Sequence, residues 1–394
     1  MQENEKEHEA LEDDEDEEPV TSKLLAALGI LNTLGTLILA VETNQDLLRA
    51  LEETIKPILI FVFENAVYDL FSEVFEIVDS CTFSTRSISP TMWEFFPVIH
   101  KVFKDYAIDY IDGNPTNNPP HRTNLLVCEL ELTRIEIYPP IENYLSFGAP
   151  VIRENQAYKD MLLDFFFTVF ETKRLGHQDQ ISACKLMQSI LLHLPGQIDA
   201  HLFRVLDTIL VKLQDEEEYK KPGYVVFLLE VVIAAVYYNP VATLGYLDHR
   251  NFVGTFLEMW FREAEKFLRV YDKRLSILAL MKIVQVPSEH VPPPLRQEGA
   301  LKYLMGGMLK FFEELPDAIK RKYLLTRTRL TIGREEANDL GDDGDSVATE
   351  GEEEWNEQDA WSDDEDNGDV ADEAQEYLDF LAQQVFSFDC VIDI

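Results

Sequence analysis

Between residues 21 and 330 apolar side chains recur at helical spacing, in one run after another of about 12–20 residues, and little else in the chain constrains its fold as strongly. The first run, 21–41, places Leu25, Leu28, Leu31, Leu34 and Leu37 three residues apart, with Thr21 or Ser22 as its cap. Asn44 is positioned to cap a second, kinked at Pro57, and a third covers 65–78. Ser89-Pro90 pairs a capping hydroxyl with a proline at the first helical position, so a helix through Trp93, Phe96 and Val102 follows. Further runs occupy 158–172, 179–194, 199–213, 224–238, 251–270, 272–286 and 295–325, parted by turns such as Leu194-Pro195-Gly196 and Asn239-Pro240. Strand-like alternation appears only at 128–137, and 113–137 reads as an insertion into the helical array.

Helices of this size, paired about every 40 residues, cannot bury their apolar faces alone and must stack on neighbours. The expected fold is all-α: a HEAT-repeat (armadillo-type) α-α superhelix over 21–330. A compact helical bundle satisfies the same periodicity. The expected divisions are an acidic disordered segment at 1–20, the repeats at 21–330, an acidic disordered loop or tail at 331–374, and a short helix with an atypical C-terminus at 375–394.

The net charge of −39 is concentrated in the two acidic segments. Residues 1–18 hold eleven acids and one base, and 335–374 hold nineteen acids and no base, which leaves about −10 elsewhere. Such runs repel themselves and stay solvated. They are also dense enough to draw basic partners. The candidate partner-binding acids are Glu12, Asp13, Asp14, Glu15, Asp16, Glu17 and Glu18 in the first run. In the second they are Glu352, Glu353, Glu354, Asp363, Asp364, Glu365 and Asp366. Trp355 and Trp361 lie among the latter as candidate aromatic anchors, for a partner or for the array itself. Direct nucleic-acid binding is disfavoured, because it needs Lys and Arg against phosphates.

No phosphate-binding glycine loop, zinc-protease or nucleophile-elbow motif is present, and the eight histidines lack metal-ligand spacing. No catalysis, cofactor or metal is expected. Cys81, Cys128, Cys184 and Cys390 are scattered, as reduced intracellular thiols are. The acidic N-terminus has no secretory leader pattern. The 24–41 run has the length of a membrane span, but its polar Asn32, Thr33 and Thr36 favour a buried repeat helix, with no membrane insertion.

Several blocks in register point to a family. Residues 26–34 (Ala-Ala-Leu-Gly-Ile-Leu-Asn-Thr-Leu), 89–93 (Ser-Pro-Thr-Met-Trp), 234–240 (Ala-Ala-Val-Tyr-Tyr-Asn-Pro) and 375–382 (Gln-Glu-Tyr-Leu-Asp-Phe-Leu-Ala) resemble the C-terminal part of the importin-β superfamily, in its importin seven/importin eight branch. The resemblance implies a karyopherin that imports cargo into the nucleus, working in cytoplasm, nucleus and the pore of the nuclear envelope. It implies basic cargo such as ribosomal proteins and histones, and Phe-Gly nucleoporins as partners. Ran GTPase would act through N-terminal repeats that this chain lacks, so no Ran contact is carried onto its residues. Residues 113–137 and 385–394 depart from the family pattern, and the chain reads as a fragment of a longer receptor. The rival reading is an acidic histone chaperone or a HEAT-repeat scaffold without transport.

Overall fold

The computed structural model describes the backbone of residues 2–107, 137–173, 175–215 and 223–339, with side chains over 22–105, 137–173, 175–215 and 223–322. Among the described residues there are helices and turns and no strand. The strand-like stretch at 128–136 and the rest of the insertion from 113 lie outside them, as do 340–394. The chain divides into two compact units, Met1–Leu194 and Pro195–Ile394.

The first unit holds α1 (Gln2–Val41), α2 (Gln45–Glu64), α3 (Phe71–Ser84), α4 (Pro90–Val102), α5 (Tyr138–Glu154), α6 (Gln156–Glu171) and α7 (His177–His193). Alternate helices touch: α1 lies on α3, α3 on α5 and α5 on α7, while α2 lies on α4 and α4 on α6. Two layers of helices thus stack in parallel rows, as antiparallel helix pairs of the HEAT type do. Local chemistry sets the helix starts. The Asn44 side chain accepts the Leu47 N–H at 3.2 Å, and Ser89 Oγ accepts the Met92 N–H at 3.1 Å with Pro90 beside it.

Polar ties hold the layers in register. Asn143 on α5 donates to Asp79 Oδ1 (2.7 Å) and Thr82 Oγ1 (3.1 Å) on α3. Asp164 on α6 meets His100 Nε2 (2.8 Å) and Lys104 Nζ (3.1 Å) from the α4 side. Between them is an aromatic seam in which Trp93 stacks on Tyr158 at 5.1 Å and Tyr144 packs on both Trp93 and Phe96. Gly148 lets α5 approach this seam, since a Cβ there would stand 2.5 Å from the Trp93 ring, which its stacking partners keep from moving away.

The second unit holds α8 (Asp199–Leu213), α9 (Tyr224–Tyr238), α10 (Pro240–His249), α11 (Val253–Arg262), α12 (Val270–Val284) and α13 (Ala300–Asp339). Its core helix is α9, buried from Tyr224 to Val236 apart from Phe227 and flanked by α8, α10 and α12. The α13 helix lies against α12 through a row of Leu304, Phe311 and Ala318, one residue every two turns.

Four expectations are corrected. The helix at 24–41 is not buried: only Leu31 and Ile38 are fully covered, because α1 meets neighbours on one side and leaves Leu25, Ile30, Leu37 and Leu39 outside. The run at 251–270 is two elements, since α11 ends at Arg262 and Arg269 adopts extended backbone (φ −78°, ψ 151°) before α12. The third helix begins at Phe71, after a 3₁₀ turn at Tyr68–Leu70, because Ala66 takes a left-handed φ of 51°. Finally, α5 and α10 occupy segments that the apolar pattern does not mark. The α1 backbone runs helically from Gln2 through the acidic segment, whose Glu and Ala residues are good helix formers.

Candidate partner-binding surface

The interior offers no reactive constellation. Among the described residues, no group of three or more His, Cys, Asp or Glu side chains is gathered for a metal ion. Cys81 and Cys184 are buried free thiols, and burial pushes the Cys81 thiol far above its ordinary range, which makes it a poor nucleophile. Buried ions serve packing. In the second unit Arg269 makes a fork onto both oxygens of Glu230 (2.9 and 2.7 Å) and a third bond to Asp272 Oδ1 (2.7 Å). Asp272 Oδ2 also accepts the Arg269 N–H at 2.9 Å, so the same carboxylate caps α12. Next to it, fully buried Lys273 pairs with Glu314 of α13 at 2.7 Å.

Two titrations in the first unit oppose each other. Burial pulls the His193 imidazole down to about 4, and burial raises the Glu142 carboxyl to about 7. A lowered histidine contributes stability that is full above its ordinary value near 6.5 and fades as pH falls toward 4. A raised carboxyl contributes stability below about 4.5 that is lost as pH rises toward 7. The variant His193→Gln should therefore gain on the parent chain by up to about 1.4 kcal/mol per pH unit between 6.5 and 4. Glu142→Gln should show the opposite trend between 4.5 and 7. Urea unfolding at several pH values checks both, and differences that stay constant with pH would contradict them.

Three apolar patches stand out. On α1 and α2, Leu25, Ile30, Leu37, Leu47 and Phe61 are each close to half exposed or more. On α8 and α10, exposed Phe203 stacks on Tyr246 (4.9 Å, 15° between planes), and the Arg250 guanidinium lies over the same Tyr246 ring and pairs with Asp207. The third runs along α13. The helix Ser22–Val41 is, by length and composition, also apolar enough to cross a bilayer.

The side chains singled out from sequence lie outside the described residues. Glu12, Asp13, Asp14, Glu15, Asp16, Glu17 and Glu18 fall on α1 backbone, with their side chains outside the described residues. Glu352, Glu353, Glu354, Trp355, Trp361, Asp363, Asp364, Glu365 and Asp366 lie outside the described residues altogether. Sequence reasoning missed the exposed apolar patches. Their periodicity is that of a buried face, and only the absence of a neighbour on one side distinguishes them.

Stacked helix pairs are also what the relatives of this chain lead one to expect. The chain is 26% identical over 282 residues to a probable importin-7 homolog of Dictyostelium discoideum, covering 71% of this chain and 24% of that protein. It is 25% identical to an importin beta-like SAD2 homolog of Arabidopsis thaliana, over 78% of this chain and 28% of the relative. It is also 23% identical to importin-8 of Homo sapiens, over 80% of this chain and 28% of the relative. These relatives support an importin-β family assignment. The all-helical described residues are consistent with the HEAT-repeat fold of such proteins. No family model matches the chain, and no solved structure does. The chain spans about a quarter of the length of the curated relatives it matches.

Proposed function

We propose that this chain is the cargo- and nucleoporin-binding part of a nuclear transport receptor that imports proteins into the nucleus, shuttling between cytoplasm, pore and nucleus. The observation that carries the reading is the coincidence of importin relatives with a stack of helix pairs that bears exposed apolar patches, in a chain whose flanking segments are strongly acidic. The acids at 12–18 and 352–366 attract basic cargo such as ribosomal proteins and histones, with opposite charge setting encounter rate and register. Trp355 and Trp361 supply apolar anchors within the acidic run. The Phe203–Tyr246 stack offers an aromatic platform for a Phe-Gly nucleoporin side chain. Ran binding belongs to repeats outside this sequence.

Exposed charges are screened within about 10 Å at 0.1 M salt, so binding of a basic ribosomal protein should weaken at least tenfold between 0.1 and 0.5 M salt. Fluorescence anisotropy with labelled protein checks this. Affinity that ignores salt, or no binding at low salt, contradicts the electrostatic part of the reading. The acidity favours a second reading, a histone chaperone or scaffold without transport, which would bind histones with the same salt dependence but not Phe-Gly peptide.

A further inference from the structure

The α13 helix shows two apolar rows. Leu304, Phe311 and Ala318 form the first and are spent against the rest of the unit. Leu301 (59% exposed), Met305, Leu309 (55%), Phe312 and Ile319 form the second and face outward at spacings of four, four, three and seven. Eighteen residues of helix at 1.5 Å each make this a stripe about 27 Å long. Single exposed leucines are ordinary, but a continuous row of five large side chains marks a surface that something covers.

We infer that this stripe is the docking site of the chain's own residues 375–382, held there as an amphipathic helix. Three observations select that occupant. First, apolar period: in Gln375-Glu376-Tyr377-Leu378-Asp379-Phe380-Leu381-Ala382, helical spacing puts Tyr377, Leu378 and Leu381 on one face, with Glu376 and Asp379 on the other. Second, charge: the six bases Lys320, Arg321, Lys322, Arg327, Arg329 and Arg334 follow the stripe on the same helix with no acid among them, whereas the stripe's own span 301–319 holds two bases and three acids, within a chain of net charge −39. The connecting residues 340–374 carry sixteen acids and no base, so they are drawn toward this basic end of α13 and bring the tail alongside the stripe. Third, reach: Leu309 is 30 residues back from Asp339, about 45 Å along the helix. The 35 residues from 340 to 374 extend to at most about 120 Å, which spans that return with slack. Tethering makes the contact intramolecular, so a weak amphipathic helix suffices where a free peptide would not.

The inference stands apart from the transport reading and holds whether or not the chain carries cargo. A photo-crosslinking p-benzoylphenylalanine placed at Leu309 of the full chain tests it. Irradiation followed by peptide mapping should join position 309 to residues 375–386 within the same molecule, and Leu378→Asp with Leu381→Asp should lower that yield at least tenfold. Crosslinks only between two copies would overturn it, making the stripe a self-association surface. A tail crosslink indifferent to the double substitution, or none to the tail, would overturn it as well.

Discussion

Replacing Arg269 with Met should cost the second unit about 3 kcal/mol. The guanidinium binds both oxygens of Glu230, itself 0% exposed, and one of Asp272. Removing one partner of a buried ionic cluster leaves the other charge desolvated, a loss of about 3–5 kcal/mol. The lower end applies here because the Arg269 side chain is 35% exposed and keeps some hydration. Burial works against the charged guanidinium, yet the carboxylates of Asp272 and Glu230 hold its pKa above the ordinary arginine value. Arg269→Lys should rescue little, since Nη2 serves Glu230 while Nε serves Asp272, and one ammonium nitrogen cannot stand in both places. Urea unfolding followed by circular dichroism measures the loss. A change below about 1 kcal/mol for Met would mean that Glu230 is neutral and content without its partner.

Trp260→Ala should be as damaging, at about 3–5 kcal/mol, by a different route. The indole is fully buried between Phe256 (5.4 Å), Phe261 stacked at 5.7 Å and Phe311 of α13 (6.5 Å). Its Nε1–H donates to buried Ser276 Oγ on α12 at 3.2 Å. Alanine therefore opens a cavity at the junction of α11, α12 and α13 and strips a hydroxyl of its donor. Trp260→Phe keeps most of the apolar volume and should lose markedly less. Equal losses for Ala and Phe in the same unfolding measurement would show that the hydrogen bond, not packing, dominates.

How much of this was readable in the residues depends on which neighbour decides each feature. The helices Asp199–Leu213 and Tyr224–Tyr238 are legible end to end, because a local apolar run and a turn residue define each. Tyr138–Glu154 is hidden by Pro139, Pro140, Gly148 and Pro150, which resemble a loop. Pro139 and Pro140 sit in its first turn, where no N–H is needed, and Gly148 gives room to Trp93. The break at 263–269 is set by the Glu230–Arg269–Asp272 cluster, a contact 39 residues long that no local window contains. Exposure is the least legible property of all. Leu31 and Leu37 belong to the same leucine row of α1, yet one is covered by a neighbour and the other is not. The acids that the sequence marks most loudly lie outside the described side chains, and the stripes that the structure marks look like core when read in one dimension.

Titration with a labelled Phe-Gly repeat peptide tests most directly the proposal that this chain is a segment of a transport receptor. Saturable binding by the full chain, reduced at least fivefold by Phe203→Ser, is the expected result. Firm binding of histones alongside no detectable Phe-Gly binding at millimolar peptide would contradict it and leave the chaperone reading in its place.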